Sequence, residues 1–322
     1  MSLHLTHCPD DAAWDQFLDN SEQGNIFCYS AFLRALGESF ERYFVLKNDL
    51  PVAGAILLVR DGVPLPSPYH FSCYHGVFFS QSINDLPMHR SVLEQLRLVD
   101  FLLAELSNRY SYLSFCLHYQ FTDLRSFLWF NYHEAHKGRF TVEVSYTGIL
   151  KFVESETQDE YLRQVRDVRR QEYNRAVREG VTIEDSDDLE LLDRLHDLTF
   201  KRQSISRSEE EIRLLPAITG EALAKKFGKL WVARSSTGEP ASAYFFLFDR
   251  RCAYYLFAAN NPDLRKTYAS SYLMFHVIDH FRRQGIQTFD FCGVNSPNRG
   301  DFKTSFNAKP TPYYIVSWAR PS

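Results

Sequence analysis

Hydrophobic positions along the chain alternate between the spacing of an α-helix and that of a β-strand. Apolar side chains over 11–19 repeat at helical spacing, and two further helices are predicted over 29–37 and 90–107. The segment 42–62 reads instead as two strands that turn near Asp49. The pattern therefore predicts an α/β protein in which helices and strand hairpins follow each other.

The second half of the chain repeats this order of elements. A second hairpin is predicted over 229–249, and the helix–strand segment 277–292 aligns without gaps on 101–116. Two copies of one α/β unit would produce this pattern. A chance alignment of two ordinary helix–strand segments is the alternative.

The length of 322 residues is sufficient for two domains, each with its own core. We expect an N-terminal domain over 1–148 and a C-terminal domain over 149–322. No linker rich in proline and serine separates them, so close packing with a cleft between or beside the domains is expected.

Composition narrows the class of protein. Hydrophobic residues make up 45% and charged residues 24% of the chain, as in a soluble globular protein. The net charge of −4 gives no general reason for nucleic-acid binding, so such binding would need a local patch. No signal peptide or apolar run of about 18 residues occurs. Together with six scattered cysteines, this predicts a cytoplasmic protein with reduced thiols. The oligomeric state is not determined.

Several catalytic motifs are missing from the sequence. It contains no G-x-S-x-G, G-x-x-x-x-G-K-[ST] or H-E-x-x-H, and no G-x-G-x-x-G after a strand. The segment "YHFSCYHG" carries His70, Cys73 and His75 but lacks a clear fourth ligand. We therefore expect hydrogen-bonded core histidines there and no bound metal.

A basic helix is predicted over 161–180. Its apolar stripe contains Val165, Tyr173 and Ala176, and Arg169 falls on the same stripe. Most of the other arginines are expected to face solvent. Because an arginine on a buried face needs an anion, Arg169 should meet either an internal carboxylate or a bound phosphate.

Two segments near the C-terminus could carry chemistry. In 257–285 a strand is followed by a polar turn and a helix, an arrangement that can bind an anion, although the turn lacks glycine. In 289–308 Asp290 points away from its phenylalanine neighbours, and Lys303 follows a loop expected to be flexible. The Lys303 side chain either packs its stem with a solvated head or holds a cation beside a developing oxyanion.

The residues of the C-terminal half resemble a known family. "RRQEYNRAVREGV" (169–181) is similar to the basic helix of the FemAB-like peptidyltransferases and related tandem proteins of the acetyltransferase (GNAT) fold. The strand–turn–helix of 257–285, and "FDFCG" followed by "GDFKTSF", also match in the family's order. The opening helices and "YHGVFF" extend the resemblance to nearly the whole chain.

The resemblance implies two tandem GNAT-like domains, each a mixed, mostly antiparallel sheet flanked by helices. It also implies transfer of an acyl or aminoacyl group to an amine of a cell-wall precursor, sugar or related small molecule. Acyl-CoA or aminoacyl-tRNA would be the co-substrate, so tRNA is a possible partner, and no cofactor is bound. The alternative is a non-catalytic ligand-binding protein on a degenerate GNAT fold.

Individual residues inherit roles from this resemblance. Lys303 matches a lysine associated with catalysis. Apart from the resemblance, Asp290 at the strand end would either orient or deprotonate the amine or make a structural hydrogen bond. Arg169 and Tyr173 match a pair near the phosphates, with Arg170 as the alternative register. The remaining predicted substrate-binding residues are Tyr255, Asn260 and Phe302.

The sequence departs from the family pattern at two turns. Asn307 stands where a glycine usually follows the Phe-Lys loop, and asparagine tolerates the left-handed backbone that such a turn needs. In "RKTYAS" Tyr268 occupies the glycine position of the CoA pyrophosphate loop. The second change weakens the expectation of CoA binding and favours the aminoacyl-tRNA donor.

Overall fold

The structure, a computed structural model, describes residues 2–153, 155–202 and 204–321. The chain forms two compact units. The first contains the residues up to Ser145 together with those from Pro312 onward, and the second is Tyr146–Thr311.

The elements of the first unit are as follows. Its strands are β1 (Leu3–His7), β2 (Ser39–Lys47), β3 (Leu50–Arg60), β4 (Val63–Pro64), β5 (Val77–Phe79) and β6 (Tyr112–Leu117). Its helices are α1 (Asp11–Asp19), α2 (Ser30–Leu36), α3 (Gln81–Asn84), α4 (Met88–Arg109) and α5 (Arg125–Trp129). Short 3-10 helices cover Ile26–Cys28 and Ala135–Lys137, and strand β7 (Thr141–Lys151) continues into the second unit.

The second unit continues the numbering. Its helices are α6 (Gln158–Gln164), α7 (Asp167–Arg178), α8 (Leu189–Lys201), α9 (Glu209–Ala224), α10 (Ala269–Arg283) and α11 (Pro297–Thr304). Its strands are β8 (Thr182–Ser186), β9 (Gly228–Arg234), β10 (Pro240–Phe248), β11 (Cys252–Asn260) and β12 (Thr288–Asp290). A 3-10 helix covers Pro262–Thr267, and strand β13 (Lys309–Ala319) ends in the first unit.

A tight hairpin organises the first unit. Asn48 and Asp49 join β2 to β3 with φ of 52° and 62°, the backbone of a turn that matches the twist of paired strands. Strand β3 also pairs with β4 and β5, and β1 completes the sheet beside β2. One face of α4 buries its leucines, including Leu102 and Leu106, in the same core as residues of these strands.

A mixed sheet forms the second unit. The end of β7 is followed in the sheet by β12, β11, β10, β9 and β8. Strands β11 and β12 are parallel, whereas the other neighbouring pairs are antiparallel. Parallel neighbours need a crossover connection, and α10 supplies it, with a buried face from Leu273 to Phe281. The prediction of mostly antiparallel sheets flanked by helices is confirmed.

The division of the chain differs from the expected domains 1–148 and 149–322. The first unit ends at Ser145, and the residues from Pro312 return to it. The physical reason is strand pairing, because β13 binds β6 in antiparallel register from Tyr314↔Leu117 to Ala319↔Tyr112. The C-terminal strand thereby satisfies the backbone hydrogen bonds of a first-unit strand.

The predicted basic helix over 161–180 is wrong as a single helix. Helix α6 ends before Val165, whose ψ of 160° is extended, and α7 begins after Arg166. The Arg166 N–H donates to the carbonyl of Ser305 at 3.0 Å, and its guanidinium binds Asp301 at 2.8 Å. These distant partners replace the hydrogen bond that a continuous helix would have made.

Among the described helices, none has the length and apolar character that crossing a bilayer requires. The longest of them, α4, exposes a polar face along its length.

Gly228, at the start of β9, provides a test of core packing in the second unit. A Cβ there would lie 2.6 Å from the Cβ of Ala222 and 2.8 Å from the ring of Phe245. We expect Gly228→Ala to lower the free energy of unfolding by about 2 kcal/mol, because the core would be overpacked. Urea denaturation measures the change.

The matched control is Gly220→Ala in helix α9, where nothing lies within 4 Å of the added Cβ. This variant should gain roughly 0.5–1 kcal/mol from helix propensity. If Gly228→Ala and Gly220→Ala changed the free energy of unfolding by the same amount, the close packing around Gly228 would be contradicted.

Candidate functional site

The carboxyl end of the parallel strand pair in the second unit forms the candidate site. The paired register of β11 and β12 ends at Tyr254↔Asp290, although β11 continues to Asn260. We call this place the strand fork, defined by residues 255–260 of β11 and 291–293 after β12. Ligands of α/β sheets commonly bind at the carboxyl ends of such strands.

Asp290 builds the turn on one side of the strand fork. Its side chain is fully buried, and its Oδ1 accepts hydrogen bonds from the Thr147 hydroxyl and from the Cys292 N–H at 2.8 Å. The Thr147 Oγ1 in turn accepts the N–H of Gly293 at 3.2 Å. Cys292 and Gly293 have φ of 50° and 100°, so these bonds hold a left-handed turn. This geometry supports the structural alternative for Asp290 over proton transfer.

Lys303 lies on the other side of this turn. Its Nζ donates to the carbonyls of Phe291 at 2.6 Å and Gly293 at 2.8 Å. The same nitrogen lies 5.4 Å from the centroid of the Tyr255 ring. The ammonium group is thus placed at the strand fork by three separate groups. A charge held in this way changes position little when a ligand binds.

The expectation of a flexible loop before Lys303 is wrong. Residues Pro297–Thr304 form helix α11, which begins with a proline as helices often do. Gly300 allows close approach, since a Cβ would lie 2.3 Å from the carbonyl oxygen of Val294. The ring of Phe306 is fully buried and packs against the ring of Phe302, with their centroids 5.1 Å apart. This contact anchors the end of the helix.

A buried chain of hydroxyl groups leads away from the strand fork. The phenols of Tyr255 and Tyr244 are hydrogen-bonded to each other, and Tyr244 also contacts the hydroxyl of Ser270 in the first turn of α10. Burial raises the pKa of Tyr255 well above its usual range. Burial raises the pKa of Tyr244 as well, so both phenols are neutral at pH 7 and take part in this chain of hydrogen bonds.

Tyr268 precedes α10 in the conformation that glycine would adopt. Its φ is 57°, and the left-handed backbone costs a residue with a side chain about 1–2 kcal/mol. Its ring lies 5.1 Å from the Arg175 guanidinium, which also donates to its hydroxyl at 3.3 Å. Tyr268 therefore has a left-handed backbone at the position where the family pattern has glycine, and it follows directly on the 3-10 helix Pro262–Thr267.

Arg169 has an internal partner. Its guanidinium forms an ion pair with Glu172, donates to the Ser271 hydroxyl at 3.1 Å and lies 4.9 Å from the centroid of the Phe302 ring. Its side chain is only 14% exposed. The internal carboxylate considered from the sequence is therefore present beside Arg169, and the bound phosphate stays a prediction.

The other predicted binding residues each have partners of their own. Arg170 binds Asp167 at 2.7 Å and is substantially exposed. Tyr173 packs its ring against Tyr272 and Phe275, and burial raises its pKa. The side-chain oxygen of Asn260 accepts a bond from Ser242 at 2.7 Å. The structure therefore brings together Lys303, Asp290 and Tyr255, with Phe302 linking α11 to Arg169.

Sequence reasoning missed Thr147, Tyr244 and Ser270. Thr147 reaches Asp290 only because β7 pairs with β12, a contact between residues 143 positions apart. The sequence around Tyr244 shows only the pattern of an aromatic strand, so nothing in it marks Tyr244 as part of a site. A buried threonine in the strand "SYTGILK" was the one available hint.

His75 in the first unit is a core histidine. Its Nε2 lies 2.7 Å from the Ser72 hydroxyl and 3.1 Å from the carbonyl of Phe27. Burial lowers its pKa to about 4. Within the described residues, no group of three or more His, Cys, Asp or Glu side chains is placed to hold a metal ion.

Two cavities lie away from the strand fork. One of about 830 Å³ is lined by residues of α8, α9 and the segment between them, and one of about 180 Å³ lies in the first unit beside Phe121. Neither is lined by a residue of the strand fork.

Comparison with known proteins identifies the class of domain. A family described as "Acetyltransferase (GNAT) domain" matches residues 162–304 by its sequence model. This segment includes β11, α10, β12 and α11, and therefore the strand fork. A search of curated proteins found no match.

Solved structures extend the likeness to the whole chain. The crystal structure of FemX has a TM-score of 0.72 at 13% identity, over 97% of this chain and 96% of that one. A tandem GNAT protein from the clavulanic acid biosynthesis pathway has a TM-score of 0.52 at 12% identity, over the full length of both chains. L-PGS from Bacillus licheniformis has a TM-score of 0.50 at 15% identity, over 96% and 91%. At these identities the likeness concerns the fold.

The second unit thus carries a GNAT domain. The chain as a whole has the fold of these structures, which include FemX and a tandem GNAT protein, so the fold that the sequence resemblance implied is confirmed.

The Thr147 hydroxyl provides a test of the turn after β12. Thr147→Val would remove a donor to the buried Asp290 carboxyl group and the acceptor of the Gly293 N–H. We expect the free energy of unfolding to fall by about 2–3 kcal/mol, because buried polar groups would lose their partners. Thr147→Ser retains the hydroxyl and should lose only about 1 kcal/mol. Similar losses in both variants would contradict the role of the hydroxyl.

The pKa of His75 predicts a pH dependence of stability. The unfolded chain binds a proton at this residue below about pH 6.5, whereas the folded chain binds it only near pH 4. The stabilising contribution is therefore complete above pH 6.5 and is lost as the pH falls toward 4.

Urea denaturation at pH 7 and pH 5 measures this loss. For wild type we expect His75 to account for a decrease of about 2 kcal/mol in the free energy of unfolding between these pH values. His75→Gln cannot titrate, so its decrease should be smaller by that amount. An unchanged pH dependence in the variant would refute the assignment.

Proposed function

We propose that this protein is an N-acyltransferase that moves an acyl or aminoacyl group from an activated donor to an amine of an acceptor. The observation that carries the proposal is the ammonium of Lys303, held at the strand fork of a GNAT domain.

The chemistry requires a cation or N–H donors at one point. The acceptor amine attacks the ester or thioester carbonyl, a C–N bond forms, and the negative charge collects on the carbonyl oxygen. The oxyanion then collapses to the amide, the C–O or C–S bond breaks, and the proton lost by the amine passes to the leaving alcohol or thiol. Lys303 would stabilise the oxyanion, because its charge is already positioned and needs no reorganisation at the moment of reaction.

Neighbouring side chains would bind the substrates. The ring of Tyr255 lies 5.4 Å from the ammonium of Lys303, and Phe302 is adjacent to Lys303 in α11. Arg169 would receive an anionic group of the acceptor only if that group displaced Glu172. We therefore place Tyr255 and Phe302 nearest the reacting atoms, with Arg169, Tyr173 and Asn260 as outer contacts.

The donor is proposed as acyl-CoA or aminoacyl-tRNA, and the acceptor as a cell-wall precursor, a sugar or a related small molecule. Both donors are cytoplasmic, so the reaction would take place there. The left-handed backbone of Tyr268 supports the CoA donor, because this residue adopts a conformation that is easiest for the glycine of the family pattern. The Tyr268 side chain occupies the place where the family pattern has glycine, which weakens the case for CoA and therefore favours aminoacyl-tRNA.

Replacing Lys303 tests the catalytic assignment. We expect Lys303→Ala to lower the rate of transfer by roughly 100-fold or more, as removal of an oxyanion donor does in other enzymes. The measurement is a single-turnover transfer assay with acyl-CoA and aminoacyl-tRNA donors and a panel of amine acceptors.

The matched control for this test is Lys309→Ala, which removes an exposed lysine at the start of β13. It should transfer at the wild-type rate. If Lys303→Ala transferred the acyl group at a rate within a few-fold of wild type, the catalytic assignment of Lys303 would be wrong.

A non-catalytic binding protein is the second candidate. It is favoured by the bonds from Lys303 to two backbone carbonyls, which give the lysine a structural task. On this alternative, Lys303→Ala would lower the melting temperature and no wild-type transfer would be seen. Thermal shifts caused by an acceptor but by neither donor would support it.

A further inference from the structure

The small cavity of the first unit is lined by three glutamines from three parts of the chain. Gln23 follows α1, Gln95 lies within α4, and Gln120 follows β6. The cavity has a volume of about 180 Å³, and its apolar lining includes the stacked rings of Phe79 and Phe121, with centroids 5.6 Å apart. We call this cavity the amide pocket, defined by these five residues.

Gln23 is the buried glutamine of the amide pocket, with only 3% of the residue exposed. Its Oε1 accepts the N–H of Phe79 at 3.1 Å and the hydroxyl of Ser21 at 3.3 Å, so the backbone donor fixes which end of the amide is oxygen. Among the described residues, nothing accepts a hydrogen bond from its Nε2. Protein atoms do not seal this nitrogen off, so it opens into the pocket that Gln23 lines. Because a buried N–H without an acceptor is costly, a molecule in the pocket has to accept from it.

The other two glutamines also present polar atoms to the pocket. One end of the Gln95 amide is bonded to Asn84 and to Ser91, both at 3.2 Å. Within the described parts of the chain, the opposite end of this amide and the whole side-chain amide of Gln120 have no hydrogen-bond partner. Amide groups donate and accept, so the pocket offers both kinds of hydrogen bond to one small molecule.

The charge at the amide pocket disfavours anions. Of the described residues that line it, none is a lysine, an arginine or a histidine, and two are acidic, Glu22 and Asp123. Among the residues that the structure describes, the cation in contact with this lining is Arg125, which is ion-paired with Asp123 at 2.6 Å and also interacts with Asp100. A phosphate or carboxylate ligand would therefore find no free positive charge here and would be repelled.

The size of the pocket limits the ligand further. The volume corresponds to about six water molecules at roughly 30 Å³ each, which is enough for one small ring and too little for a nucleotide or a peptide. Hydroxyl groups donate and accept, as the glutamine amides do, and the C–H groups of a saturated ring would contact Phe79 and Phe121.

We propose that the amide pocket binds a small uncharged polyol, a monosaccharide or a cyclitol. The competing occupants are an ammonium compound, which Glu22 would attract, and water alone. The proposal concerns the first unit and does not rest on the transfer reaction, because none of the residues that line the pocket belongs to the strand fork.

Nuclear magnetic resonance of protein with isotope-labelled glutamine side chains tests the proposal. Glucose and myo-inositol should each cause saturable shifts of the amide signals of Gln23, Gln95 and Gln120. Their dissociation constants should be about 2 mM, as expected for ligands of about twelve non-hydrogen atoms. Inositol monophosphate should bind more weakly by roughly tenfold or more, because its charge is repelled.

Two variants locate the binding. Gln120→Ala removes an exposed amide and Gln95→Leu a half-buried one, so both proteins should fold. Each should weaken glucose binding about fivefold, the effect of one lost hydrogen bond. The matched control is Gln16→Ala, which removes an exposed glutamine of α1 outside the pocket and should bind glucose as wild type.

Three results would overturn the proposal. If neither polyol moved the glutamine signals of the wild-type protein, water alone would occupy the pocket. If ethylammonium bound more tightly than glucose, the pocket would belong to amines. If Gln120→Ala and Gln16→Ala had equal affinities for glucose, the sugar would bind elsewhere.

Discussion

The candidate site depends on one buried hydrogen-bonded group, the carboxyl of Asp290. It ties the end of β12 to the N–H of Cys292 and to the hydroxyl of Thr147 in the neighbouring strand β7. The resulting turn aims two carbonyls at Lys303, and the lysine in turn secures the end of α11. Buried polar groups of this kind are costly unless every partner is present, so the carboxyl, the turn and the lysine form one interdependent arrangement.

Local patterns predicted much of the fold. Helix α1 occupies the predicted range 11–19 because an amphipathic period and an aspartate cap act within a few residues. The turn near Asp49 was also readable from the sequence, since asparagine and aspartate accept a positive φ. The sequence also predicted that Arg169 lies on the apolar face of its helix and that its guanidinium needs an anion there. Its partner Glu172 lies only three residues away on the same helix.

Contacts between distant parts of the chain could not be predicted. The break between α6 and α7 follows from bonds of Arg166 to Ser305 and Asp301, which a helical period cannot reveal. Thr147 enters the site only through strand pairing. The proline at the start of α11 was visible, yet the glycine and asparagine around it favoured a loop interpretation. Tertiary packing outweighed these local preferences.

The pairing of β6 with β13 bears on the way the protein is made. During synthesis most residues of the first unit leave the ribosome early, but strand β13, the partner of β6, emerges almost 200 residues after β6. The second unit can therefore complete its sheet before the first, against the usual N-terminal order of domain folding. Until β13 has emerged, β6 lacks its partner strand and exposes unpaired backbone groups that could pair with a strand of another chain.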